Sequence, residues 1–164
     1  MGEPWLVALF EHKAWCNQRL LEALRAMPGD VDRGARAVIL FTFDHTSRVD
    51  QVFKARLEGV EPAYASTVAG AMPNLGALSE TLARTDGWYV NYARRATPAE
   101  LATLVEFTFV DDGAPGRMSK GDMLAHVITH GASHRGAIGK MLETLKLPGA
   151  PDMVTTFRRR CAPA

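Results

Sequence analysis

Between Pro4 and Leu145 the chain carries four long stretches in which apolar side chains recur at the helical period, and proline or glycine closes each one. A chain patterned this way has four helical stripes to bury against one another, which restricts it to helix-on-helix packing. The first stretch runs from about Pro4 to Met27 and stops at Pro28-Gly29. Proline near a helix start and Pro-Gly after its end are ordinary punctuation. The second spans about Asp32 to Glu58 and stops at Gly59, a natural C-terminal cap. A long connection rich in small residues follows, over 60–74. The third begins after Asn74 and reaches about Ala96, and Thr97-Pro98 reads as the cap and first turn of a short helical piece. "TLVEFTFV" (103–110) is β-branched and aromatic and is followed by "DDGAPG", so a short strand or hairpin is expected there, outside the helical core. The fourth stretch starts at Ser119, with Asp122 completing a weaker form of the capping box, and runs to about Leu145. A last short helix is expected over Asp152 to Arg160. The chain shows no internal repeat and no low-complexity linker. The expectation is an all-α fold: one four-helix-bundle domain over 1–164, with a short β-hairpin or extended insert before the last long helix.

Charge and composition narrow the function classes. The formal net charge is +1, and the only basic run is Arg158 to Arg160 near the C-terminus, which reads as a solvated end. A nucleic-acid footprint would need a clustered basic face. No apolar run reaches the roughly 18 residues of a membrane span, and the first residues have no basic region typical of a signal peptide. Cys16 and Cys161 lie far apart and form no CxxC, so a reduced, cytoplasmic protein is expected.

The chain has five histidines, and three of them fall at four-residue intervals in "HVITHGASHRG", residues 126–136. A helix advances about 100° per residue, so a gap of four drifts by about 40°. On the fourth stretch Met123, Val127, Met141 and Leu145 lie near one direction. His134 falls inside that sector, His130 lies about 40° from it, and His126 a further 40° or so out, on the shoulder. On the second stretch Val38, Phe41, Thr42, Val49, Val52 and Phe53 define the apolar sector, with His45 in its middle. Asp44 and Asp50 point away from that stripe, and Arg135 and Lys140 lie outside the sector of the fourth, where solvent is expected. A lone core histidine is ordinarily satisfied by one hydrogen bond. Three on facing helices are harder to account for, since each unpaired buried polar group costs about 1–3 kcal/mol. His130 and His134, at i and i+4, have a common chelating spacing. A third imidazole from a facing helix completes a facial set of three nitrogens that leaves metal positions open, the catalytic rather than the structural pattern. His12 shares a face with Trp5, Leu9, Cys16 and Leu20. A satisfied core or cleft histidine, a fourth ligand, an outer-sphere donor and a substrate contact are all open to it. Cys16 reads as a small apolar core residue.

Three quoted segments resemble one family. "HKAWCNQRLLEAL" is similar to a first-helix WxNxRLL pattern carried by Trp15, Asn17, Arg19, Leu20 and Leu21. "FDHTSRVDQVFKARLEG" resembles its second-helix pattern, and "SKGDMLAHVITHGASHRGAIGKML" resembles an HxxxHxxxHRGQ run, with Ala137 where the family usually has Gln. "LPGAPDM" is similar to its C-terminal end. The family is that of the DinB/YfiT-like metal-binding four-helix bundles, and the resemblance covers nearly the whole chain. It implies an up-down-down-up bundle and a divalent metal, nickel or zinc, on His45, His130 and His134. It also implies a homodimer with a small-molecule substrate, while the charge balance and the lack of a long apolar run lead to no expectation of nucleic-acid or membrane binding. Related members work with low-molecular-weight thiols as S-transferases or as a thiol-dependent isomerase, and others are labelled metal-dependent hydrolases. The expectation is a metal-dependent enzyme activating a thiol. The alternatives are a hydrolase activating water and a non-catalytic metal-binding module. No separate general base stands out; His12 and His126 are the catalytic candidates.

Overall fold

The computed structural model describes residues 2–161. Its elements are α1 (Pro4–Arg25), α2 (Arg33–Glu58), α3 (Leu75–Arg95), α4 (Pro98–Leu101), β1 (Leu104–Thr108), β2 (Pro115–Ser119), α5 (Lys120–Thr144) and α6 (Val154–Cys161). Local chemistry accounts for most of these boundaries. Pro4 opens α1, where its missing N–H goes unnoticed. The Asp32 and Asn74 side chains accept hydrogen bonds from Ala35 N and Ala77 N at 2.8 and 3.0 Å, capping α2 and α3. Gly59 closes α2 in the left-handed conformation, φ 73°. Ser119 and Asp122 form a reciprocal capping box on α5, with Asp replacing the usual Glu. β1 and β2 pair antiparallel, Leu104 opposite Ser119 and Thr108 opposite Pro115. At Gly116 a Cβ would come within 2.6 Å of the Phe107 ring, so only glycine lets that ring lie across β2.

The four long helices form an up-down-down-up bundle. Gly2 N donates to Arg94 O at one end of the α1–α3 pair and Arg25 bonds Ser79 at the other, so these helices are antiparallel. Phe53 packs on His126 while His45 packs on His130 and His134, so α2 and α5 are antiparallel too. Asn17 meets Arg135, and a Cβ on Gly131 would touch Lys13, so α1 and α5 run parallel. It follows that α2 and α3 are also parallel. A parallel pair cannot be joined by a tight turn, and residues 59–74 run back along the bundle to join it.

The core has two apolar parts. One is built around Phe10, Phe53, Tyr89, Met123 and Val127, the other around Leu20, Phe43, Leu82, Ile138 and Leu142. The helix faces depart from the sequence expectation on α2 and at Arg135. On α2 the expected Val49, Val52 and Phe53 are buried, together with Ile39, Phe43, Thr46, Ser47, Asp50 and Leu57, whereas Val38 is 52 % exposed and Phe41 and Thr42 are only partly buried. Three of those buried positions are polar, so apolarity alone points to a rotated sector. His45 therefore lies at the edge of the core, half-buried, and not at its centre. Arg135 is only 6 % exposed rather than solvated, because acceptors from two other segments surround its guanidinium. Lys140 is exposed, as expected.

Candidate metal centre

α2 and α5 bring His45, His130 and His134 together. Each offers one ring nitrogen, and the three nitrogens lie within 4.8 Å of one another. His45 Nε2 and His130 Nε2 stand 3.2 Å apart. Metal–nitrogen bonds of about 2.0–2.1 Å at a tetrahedral angle would set ligand atoms about 3.3 Å apart, so the spacing fits a shared ion. Two imidazole nitrogens facing at that distance need a positive centre or a proton between them.

The protonation states also suit a ligand set. Burial, then the neighbouring imidazoles of His134, His126 and His45, push His130 down to about 3. Burial, then His45, lowers His134. Both rings are therefore neutral at physiological pH and present lone pairs. His45 Nδ1 lies 3.2 Å from the Thr67 carbonyl. A carbonyl only accepts, so Nδ1 carries the proton and Nε2 is left free for a cation. Nδ1 of His130 is buried without a hydrogen-bond partner.

Thr67 is itself held. Asp111 Oδ1 accepts from Thr67 N and Ser66 Oγ, both at 2.8 Å, and Oδ2 accepts from Thr67 Oγ1 at 2.7 Å. The Thr67 hydroxyl, followed by its backbone N–H, lowers the Asp111 pKa below the usual carboxylate range. Asp111 lies at the tip between β1 and β2. The hairpin thus clamps the long connection, and the connection orients His45. Sequence reading could not find Thr67, which acts through a backbone carbonyl and has no residue signature. Asp111 carries only a turn signal.

A cavity of about 200 Å³ adjoins the imidazoles. His45, His126 and His130 line it together with Val49, Val52, Phe53, Phe107, Phe109, Asp111 and others. His126 stacks on His130 with ring centres 5.2 Å apart and packs against Phe53 at 4.7 Å, and burial lowers its pKa. It is placed to meet a ligand in the cavity, and it is not one of the three converging rings.

His12 is elsewhere. It is 7 % exposed, its Nε2 is 3.2 Å from Cys16 Sγ and 3.7 Å from Asp152 Oδ1, and it groups with those two residues rather than with the three imidazoles. Asp50, expected to point away from the core-facing stripe, is fully buried. Lys13 Nζ bonds Asp50 Oδ2 at 2.6 Å and Asp86 Oδ1 at 2.7 Å. Asn17 Nδ2 donates to both Asp86 oxygens, and Asn17 Oδ1 accepts from Arg135 Nη1 at 3.1 Å. Arg135 Nε and Nη2 reach Asp152 at 2.9 and 3.2 Å. Burial pulls Lys13 down, but Asp50 and Asp86 outweigh it and hold the ammonium above its ordinary value. This network joins α1, α2, α3, α5 and the segment before α6, and it touches the neighbour of His130: a Cβ on Gly131 would come 3.0 Å from Arg135 Nη1 and 3.6 Å from Lys13 Cε.

Among known proteins, a family model described as the DinB superfamily matches residues 6–138. No curated protein matches the chain, and no solved structure does. The matched span takes in all four long helices up to Ile138, and with them His45, His130 and His134. The chain belongs to the DinB superfamily.

Proposed function

We propose that His45, His130 and His134 hold a divalent ion, nickel or zinc, and that the protein activates a low-molecular-weight thiol for transfer to a small electrophile. The observation that carries this reading is that three imidazole nitrogens converge beside an apolar cavity whose one lining carboxylate, among the described residues, is already engaged. When bound, an ion on three neutral imidazoles keeps its full 2+ charge and lowers the pKa of a coordinated thiol or water. A thiol starts near 8.5 and water near 15.7, so a thiol needs much less help to ionise near neutral pH. A hydrolase of this design gains from a free carboxylate base beside its water. Asp111 instead spends both oxygens on Ser66 and Thr67.

The chain's own residues do the rest. The Thr67 carbonyl fixes the His45 tautomer. Phe53, Phe107, Phe109, Val49 and Val52 exclude water and receive the apolar part of the electrophile. His126, kept neutral by burial, is the cavity-lining base that accepts the thiol proton.

The test is to load tag-free protein with nickel or cobalt and titrate small thiols. A charge-transfer band that grows with thiol, and that His130→Ala abolishes, supports the reading. No thiol-dependent band, with turnover of an ester or amide in thiol-free buffer, would move the assignment to a hydrolase. Metal that raises thermal stability while thiols and substrates do nothing would leave a non-catalytic metal-binding module.

A further inference from the structure

We propose a second metal site, for a borderline-soft divalent cation such as zinc, formed by His12 and Cys16 of α1 and Asp152 of the segment before α6. The ligand atoms are His12 Nε2, Cys16 Sγ and one Asp152 carboxylate oxygen, all within 4.8 Å of one another. The donors come from a His-x-x-x-Cys pair on one helix face and from a carboxylate 136 residues beyond Cys16 in the sequence.

The contact pattern separates a chelate from a proton relay. In a relay the thiol and the carboxylate sit on opposite nitrogens of the imidazole, so that a proton passes through the ring. Here both fall on Nε2, Cys16 at 3.2 Å and Asp152 at 3.7 Å. Three donors crowding one point is what a cation requires. Zinc bonds of about 2.0–2.1 Å to nitrogen or oxygen and about 2.3 Å to sulfur set tetrahedral edges of about 3.6 Å between sulfur and nitrogen and about 3.3 Å between nitrogen and oxygen, so small side-chain shifts of about 0.4 Å bring the measured 3.2 and 3.7 Å edges onto a shared ion.

The surroundings suit a held site. Arg135 bonds both oxygens of Asp152, and Asn17 bonds Arg135 in turn, so the carboxylate is oriented from behind. His12 and Cys16 are 7 % and 1 % exposed, and Phe157 of α6 packs its ring against His12 and Trp15, giving the ligands an apolar cover. Charge favours the same occupant. The linked network sets the cations Lys13 and Arg135 against Asp50, Asp86 and Asp152, leaving one negative charge in excess. Burial and the Asp152 carboxylate push the Cys16 thiol up, so its proton leaves for solvent only as the divalent ion arrives, and the exchange adds one positive charge, which cancels the excess. The ion would also tie the segment leading into α6 to the bundle.

The experiment uses the full chain, tag-free and metal-free, carrying Cys161→Ser so that Cys16 is the one thiol, with no thiol added. Cobalt is titrated and the near-ultraviolet thiolate-to-cobalt band is followed. The expected result is about two cobalt ions per chain, one of them accompanied by the band. Adding His130→Ala should leave about one ion and keep the band. Adding Cys16→Ser should leave about one ion and abolish it. The His130→Ala arm decides even if the Cys16 variant does not fold, because Cys16 is then the only thiol and the three-histidine site is impaired. Absence of the band in that arm overturns the second site and leaves the three-histidine proposal untouched. Binding of only about one cobalt, kept with its band by His130→Ala and lost from Cys16→Ser, would overturn the three-histidine proposal instead.

Discussion

His45 Nδ1 lies 3.2 Å from the carbonyl of Thr67, a residue of the long connection that joins two parallel helices. The bundle topology demands that connection, and the connection orients an imidazole. The hairpin insert completes the support, because Asp111 at its tip takes three hydrogen bonds from Ser66 and Thr67. The two departures from a plain bundle thus converge on one ring.

The first prediction follows from that chain of support. Asp111→Ala frees Thr67, and with it the tautomer and tilt of His45. Metal affinity at the three-histidine site is expected to fall roughly 10–100-fold, as for other outer-sphere partners, with the helical circular dichroism spectrum unchanged. Isothermal titration of zinc into the metal-free protein measures it. An unchanged affinity would mean that the connection does not hold His45.

Removing a ligand should cost more than loosening one. His130→Ala is expected to weaken binding at this site more than about 100-fold, beyond the usual effect of an outer-sphere change. The metal-free protein should lose little stability, because the wild-type ring buries an Nδ1 with no partner. Elemental analysis paired with thermal melting tests both halves, and a large drop in the metal-free melting temperature would contradict the second.

Lys13 is the buried cation on which two carboxylates depend, at 2.6 and 2.7 Å. Lys13→Met leaves Asp50 and Asp86 facing each other without it. Stability is expected to fall by about 3–5 kcal/mol, the usual cost of breaking a buried ion pair from one side. Adding Asp50→Asn should recover part of the loss. Urea unfolding of the three proteins checks this, and a loss under about 1 kcal/mol would show that the carboxylates had simply taken up protons.

The fourth prediction concerns acid. His130 has a folded-state pKa pushed down to about 3 from an ordinary 6.5, chiefly by burial. Between those values the unfolded chain binds a proton that the folded chain refuses. The stability from the neutral ring is therefore complete above about pH 6.5 and is lost as pH falls toward 3. The metal-free wild type should lose melting temperature with falling pH more steeply than His130→Gln. Parallel slopes would place the acid sensitivity elsewhere.

Much of this protein could be read directly from the chain. The four helices, their caps at Asp32, Asn74, Thr97 and Ser119, the Gly59 stop and the hairpin over 104–119 all rest on interactions within a few residues. The i, i+4 spacing of His130 and His134 likewise places two imidazoles on one helix face, whatever the rest of the fold does. Apolarity marks Val49, Val52 and Phe53 on the buried side of α2 but not Thr46, Ser47 and Asp50 at its middle, which are polar.

What only the tertiary structure decided is which polar groups share a space. Lys13 finds its carboxylates 37 and 73 residues away, and His45 Nε2 finds His130 Nε2 85 residues away. Arg135 reads as a surface residue until Asn17 and Asp152 are brought around it, and Thr67 contributes a backbone atom that every residue possesses. A helix repeats every 3.6 residues through bonds to its own neighbours, so its period is written locally. Burying a charge is tolerated only where a partner from another segment arrives, so its burial is settled by the packed bundle and not by the residue that carries it.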